Sequence, residues 1–290
     1  MLVIKTIINP APKSGIFHIF ALNNNTIMKK TILSIAIIVT AILFGCSEPQ
    51  PLTIYMVGDS TMADRYDTIE TPERGWGQVF PTFLSEQALV KNHAKNGRST
   101  KSFLNEGRWE KVMETLDKGD VVIIQFGTND AKIEDSTLFA DPHHYAQNLS
   151  FMIRQAKSIG ALPILCTPIA RRHFNGDELQ YVHGDYPAAA IEVAEKEDVP
   201  LVDMTTITMR WLEPLGEKGS RPYFVYKIKP GEYSKYPEGK SDNTHLREKG
   251  ALKVAELFSR AVTKQNIKPL KDYIQSNNKE IKYTIPCGIE

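Results

Sequence analysis

Apolar residues occur along the chain in two distinct rhythms. Leu52–Val57 is a compact apolar run that ends at Gly58, and Val121–Phe126, Leu162–Cys166 and Pro200–Val202 repeat the pattern. Short runs that are apolar at nearly every position predict strands buried on both faces. Val90–Ala94 is a more polar addition, which brings the candidate strands to five. Between them, Arg108–Leu116, Tyr145–Ile159 and Pro187–Glu197 place apolar residues three and four positions apart, the period of helices with one buried face. Strands alternating with helices predict an α/β fold, a three-layer α/β/α sandwich around a central, mostly parallel five-stranded sheet. Glu217–Ser241, rich in Gly, Pro, Tyr and Lys, has no clear period and reads as a long loop.

The first fifty residues follow a different logic. Met28-Lys29-Lys30 precedes an apolar run from Thr31 to Phe44, and Gly45-Cys46-Ser47 follows. The run is shorter than the roughly 20 residues a spanning helix needs, so it reads as a cleaved secretory signal with Met28 as the working start. Leu43-Phe44-Gly45-Cys46 resembles a bacterial lipobox, which makes Cys46 the lipidation site of an exported, membrane-anchored lipoprotein on the periplasmic or cell-surface side. The expected organisation is a leader and linker over 1–50, one domain over 51–265 and a tail over 266–290. Cys166, inside an apolar run, reads as a buried thiol, although pairing with Cys287 stays open in an oxidising compartment.

The 290 residues carry 35 Lys and Arg against 34 Asp and Glu. No basic run is long enough to track a phosphate backbone, so nucleic acid is not an expected partner. His143, His144, His173 and His183 do not follow a metal-ligand spacing, and neither metal nor cofactor is expected.

In parallel sheets, ligands bind beyond the carboxyl ends of the strands. Ser60, Gly97 and Asn129 each follow a candidate strand, and Asp242-Asn243-Thr244-His245 precedes the last helix. Serine is a poor nucleophile until a base takes its proton and a third group orients that base. Ser60, His245 and Asp242 supply the three roles, and the three-residue spacing of Asp242 and His245 lets one turn bring carboxylate to imidazole. The oxyanion formed in acyl transfer needs aimed donors. The backbone N–H groups of Ser60 and Gly97 and the side-chain amide of Asn129 are the candidates.

Gly58-Asp59-Ser60, Asn96-Gly97-Arg98-Ser99, Gly127-Thr128-Asn129-Asp130 and Asp242-Asn243-Thr244-His245 together resemble, in order, the four blocks of the SGNH or GDSL hydrolases. Arg74-Gly75-Trp76-Gly77-Gln78, Thr167-Pro168-Ile169-Ala170-Arg171-Arg172 and His183-Gly184-Asp185-Tyr186-Pro187 resemble the rhamnogalacturonan acetylesterase branch of that family. The resemblance implies a flavodoxin-like sheet and a serine esterase that removes acetyl groups from pectin-type polysaccharide. Xylan or another acylated glycan is the alternative substrate; a lipase, or a surface glycan-binding lipoprotein without catalysis, is a further one. Asp59 and Asp130 read as turn-ordering residues and Trp76 as core, while Arg98 stays open between a contact to a sugar or carboxylate and a solvated side chain. At least one of Arg171 and Arg172 is expected to form an ion pair within the protein. Tyr223, Tyr226, Tyr233 and Tyr236, in the loop, are the expected sugar platforms.

Overall fold

A computed structural model describes residues 51–65 and 70–275. Met28, Cys46 and Cys287 lie outside the described residues. Five strands form one sheet: β1 (Leu52–Gly58), β2 (Ala88–Asn92), β3 (Val121–Gln125), β4 (Leu162–Cys166) and, after a small hairpin of β5 (Phe174–Asn175) and β6 (Glu178–Leu179), β7 (Leu201–Val202). The order is β2-β1-β3-β4-β7, and every pairing is parallel. The chain thus reverses its direction of progress across the sheet between β1 and β3, the place where a crevice opens at the carboxyl ends.

The continuous apolar runs have a direct physical reason. Ile54, Met56, Val121, Ile123, Ile164 and Val202 face one core, whereas Tyr55, Val57, Val122, Ile124 and Leu165 face another. The first core is closed by α1 (Trp76–Val79), α6 (Met204–Leu212) and α8 (Glu248–Gln265); the second by α2 (Thr100–Asn105), α3 (Arg108–Met113), α4 (Pro142–Ile159) and α5 (Tyr186–Glu197). A seventh helix in chain order, α7 (Gly216–Ser220), lies in the segment after α6. The fold is therefore the expected three-layer α/β/α arrangement.

Helix ends follow local chemistry. Asp141 accepts from the His144 N–H ahead of Pro142, and Gly160 closes α4 with a left-handed residue. Ser99 and Ser102 cap α2 reciprocally. The single expected helix over Arg108–Leu116 is the second of two short ones, because Gly107 at φ 65° separates α2 from α3. The edge strand β2 begins two residues before the apolar pattern does, since partial exposure of Ala88–Asn92 leaves little burial to write a pattern. The boundary expected at 265 also moves. Ile267, Leu270 and Tyr273 are buried, and Ser85 N–H donates to Tyr273 O at 2.8 Å, so the segment through Gln275 packs on the domain. Helix α8 ends in a left-handed Asn266, and the turn it makes returns the chain to the core.

A buried polar chain joins sheet and helix beneath the crevice. Trp76 Nε1–H donates to Gln125 Oε1 at 3.0 Å, Gln125 Nε2–H donates to Thr61 Oγ1 at 2.8 Å, and Thr61 Oγ1–H donates to Asp59 Oδ1 at 2.8 Å. Gln125 is in register with Gly58, so it sits beside the exit of β1. Gly75 is glycine because of crowding: a Cβ there would lie 2.1 Å from Ala63 O. Its absence lets the Trp76 N–H reach Thr61 O at 2.9 Å. Gln125→Leu, which keeps the volume and leaves the indole N–H and the Thr61 hydroxyl short of a partner, is expected to cost about 2–4 kcal/mol in urea unfolding.

Candidate active site

The crevice is a cleft of about 670 Å³ whose walls include Ser60, Gly97, Thr128, Asn129, Arg171, Thr244 and His245. Every residue expected at the site is accounted for there, with Asp242 directly behind His245.

Ser60 follows β1 in a helical turn, in which Asp59 O accepts from the N–H groups of Met62 and Ala63. Asp59 turns its carboxylate inward, Oδ1 accepting from Thr61 N at 2.9 Å, and so orders the turn as expected. His245 Nε2 lies 2.9 Å from Ser60 Oγ, and His245 Nδ1 lies 2.8 Å from Asp242 Oδ2. The other carboxylate oxygen accepts from the N–H groups of Thr244 at 2.7 Å and His245 at 3.0 Å. One turn therefore fixes both the carboxylate and the ring. Burial raises the Asp242 pKa, but the hydrogen bond and charge of His245 outweigh it and hold the carboxyl well below the usual carboxylate range. Asp242 is ionised throughout the neutral range.

The histidine turn is clamped from two sides. Val225 O accepts from Asp242 N at 2.8 Å while Val225 N donates to His245 O at 2.9 Å, which makes Phe224–Tyr226 an antiparallel partner of the turn. From the other side, Arg172 donates through its backbone N to Asn243 O and through NH1 to Asn243 Oδ1, both at 2.7 Å. The segment expected to be one long loop thus contributes α7, a 3-10 turn over Arg221–Tyr223 and this pairing. Alternation over three residues is too short to register as a strand in sequence.

Gly97 adopts φ 73°, a left-handed conformation open to glycine without strain, and a Cβ there would meet nothing within 4 Å. Asn129 Nδ2 donates to Arg98 O at 3.0 Å, which leaves its second amide hydrogen for a ligand. Asp130, fully buried, ties the two loops together: Oδ1 accepts from Thr100 N at 2.9 Å and Thr100 Oγ1 at 2.5 Å, and Oδ2 accepts from Gly127 N at 3.1 Å. Burial, reinforced by the charge of Asp59, pushes its pKa up to about 7 despite those donors.

The remaining expectations divide. Trp76 is core, and Arg98 ion-pairs with Glu106 at 3.0 Å. Arg172, buried, ion-pairs with Glu217 at 2.5 Å, while Arg171 remains exposed. His183 is buried, its Nε2 2.8 Å from Ile169 O. The tyrosines are not a row of platforms: Tyr226 lies under the Arg172 guanidinium at 4.0 Å, Tyr223 packs against Trp211, and Tyr236 bonds Glu73. Cys166 is a buried free thiol, and burial raises its pKa.

Sequence reading passed over Arg65 and Glu73. Glu73, 5% exposed, accepts from the Tyr236 hydroxyl, from Arg65 Nε at 2.8 Å and from Lys235 Nζ at 3.3 Å, while Arg65 NH2 reaches Ser60 O at 3.5 Å. The only signal available was two opposite charges eight residues apart ahead of the Trp76 segment, a spacing with no helical or strand meaning. Burial pushes the Glu73 carboxyl up, but Tyr236 and Arg65 outweigh it and bring it from 4.5 to about 2. Between those values the unfolded chain binds more protons than the folded one, so the stability this carboxylate supplies is complete above pH 4.5 and is lost as pH falls towards about 2. Glu73→Gln is expected to flatten the acid limb of stability over that interval, measured by urea unfolding at stepped pH.

Residues 56–251 match the family model described as the GDSL-like lipase/acylhydrolase family. The chain is 38% identical to the rhamnogalacturonan acetylesterase RhgT of Bacillus subtilis, over 78% of this chain and 96% of that protein. It is 32% identical to the probable rhamnogalacturonan acetylesterase YesY of the same organism, over 76% and 96% respectively. The crystal structure of Bacillus subtilis YxiM superposes with a TM-score of 0.64 at 26% identity, covering 76% of this chain and 58% of that one. The chain belongs to the GDSL-like lipase/acylhydrolase family and is a carboxylic ester hydrolase.

Proposed function

We propose that the protein removes O-acetyl groups from a plant cell-wall polysaccharide of the rhamnogalacturonan type through a Ser60–His245–Asp242 acyl-enzyme mechanism. The observation that carries it is the unbroken hydrogen-bonded line from Ser60 Oγ to His245 Nε2 at 2.9 Å and from His245 Nδ1 to Asp242 Oδ2 at 2.8 Å. The Bacillus subtilis relatives named for this activity support the choice of ester.

In the first half-reaction Ser60 Oγ attacks the acetyl carbonyl carbon and its proton passes to His245 Nε2. Asp242 keeps the ring oriented and offsets the imidazolium charge. The carbonyl oxygen, now negative, takes hydrogen bonds from Ser60 N–H, Gly97 N–H and Asn129 Nδ2. Collapse breaks the bond to the sugar oxygen, which leaves with the proton from His245. In the second half a water gives its proton to His245 and attacks the acetyl-serine carbonyl; Ser60 Oγ recovers that proton and acetate departs. Metal is not required for any of these steps.

Delivery follows from the leader. Lipidation at Cys46 would leave a few residues of linker before β1 and hold the cleft outside the cytoplasm, where polymeric substrate is met. Among the described residues no helix is long and apolar enough to cross a membrane.

Ser60→Ala and His245→Ala are each expected to lower acetate release at least about a thousandfold with an unchanged circular dichroism spectrum, since either change removes the proton-transfer pair. Retention of substantial activity in the folded Ser60→Ala protein would exclude the mechanism. Asn129→Ala is expected to lower kcat about 10²–10³-fold with little change in KM. Acetate release measured side by side on acetylated rhamnogalacturonan, acetylated xylan and a long-chain ester tests the substrate; preference for either of the last two would overturn it. Cys46→Ser is expected to move the protein from the membrane fraction to the soluble one.

A further inference from the structure

Resting on the polysaccharide reading above, we propose that Arg171 is a specificity-determining residue, which binds the carboxylate of an acidic sugar in the substrate chain. Two adjacent arginines follow β4, and the fold gives them opposite fates. Arg172 is consumed inside the protein: Nε donates to Ser220 Oγ at 2.9 Å, NH1 to Asn243 Oδ1 at 2.7 Å and NH2 to Glu217 O at 2.6 Å. Arg171 is exposed and donates once, from Nε to Thr244 Oγ1 at 2.8 Å. Arg171 lines the cleft, and among the described residues no carboxylate forms an ion pair with it and its one side-chain hydrogen bond is the one from Nε.

That single bond matters because of where it goes. Thr244 lies between Asp242 and His245, and its own N–H is held by Asp242. The bond ties the inner edge of the guanidinium to the turn that carries the catalytic histidine. A planar, always-charged fork with its inner nitrogen anchored and its outer pair free matches the two oxygens of a carboxylate, and prior anchoring removes much of the entropy cost of binding. Neutral sugar hydroxyls do not need a full positive charge, and a protein gains nothing in stability from leaving one unpaired.

The surrounding field has the same sign. The cleft is lined by four basic side chains, Arg65, Lys132, Arg171 and Lys235, against two acidic ones, Glu73 and Glu134. Glu73 is already engaged with Arg65 and Lys235. A polyanionic chain is drawn to such a surface, whereas a neutral one is not.

The test is calorimetric titration of the catalytically silent Ser60→Ala protein with oligogalacturonate and with the same oligosaccharide after reduction of its carboxyls to alcohols. At low salt the charged ligand is expected to bind about tenfold more tightly than the reduced one, a preference typical of one charge-assisted pair. Adding Arg171→Gln should bring the two affinities to about equality, and Arg171→Lys, which keeps the charge and loses the fork, should retain about threefold. The Arg171→Lys protein also guards against a folding defect in the glutamine variant. Absence of preference in the parent, full preference in Arg171→Gln, or free acetate binding as tightly as oligogalacturonate would each overturn the assignment. The polysaccharide reading fails separately, if the unmodified enzyme releases no acetate from acetylated rhamnogalacturonan while this discrimination persists.

Discussion

The hydrogen bond between Trp76 Nε1 and Gln125 Oε1 is the constraint around which the site is built. A glutamine at the end of a fully buried parallel strand is costly unless both its oxygen and its amide are paired. Trp76 satisfies the oxygen and Thr61 the amide, so the end of β3, the start of α1 and the turn after β1 are held in one arrangement. The turn that carries Ser60 has little freedom left. Phe80 and Phe258 pack against the same indole, its ring 5.9 Å and 5.0 Å from theirs, so the apolar core and the polar chain share one anchor.

The two catalytic halves are positioned by different physics. Ser60, Gly97 and Asn129 sit on loops that leave adjacent parallel strands, and sheet geometry brings those loops together without further contrivance. Asp130 then fixes the spacing between two of them with three hydrogen bonds from one buried carboxylate. His245 belongs to no strand of the sheet. Its turn is held by the short pairing with Phe224–Tyr226 and by Arg172, whose guanidinium is fully engaged with Ser220, Asn243 and Glu217. A charge buried this deeply must be paired to be tolerated, and the pairing is what stiffens the loop.

The sheet, its strand count and the sandwich were legible in the sequence because burial on both faces of a parallel strand leaves a continuous apolar run, as in Val121–Ile124. The chemistry was legible as far as it depended on residue type: a nucleophile, a base, an orienter and two donors, each after a strand or before the last helix. Asp242 and His245 were readable as a pair because three residues make one turn. Elements that bury little, such as β2 and the two-residue β7, left weak traces.

Contacts between distant segments were decided by the tertiary structure alone. Nothing local distinguishes Arg171 from Arg172, yet one lies buried against Glu217 and the other opens onto the cleft. Glu73 and Tyr236 are 163 residues apart, and their bond exists only once the loop folds over the first turn. Periodicity records which face of an element is covered, and composition records which chemistry is present. Neither records which side chain from elsewhere arrives to pair a buried charge, because that partner is selected by packing in three dimensions.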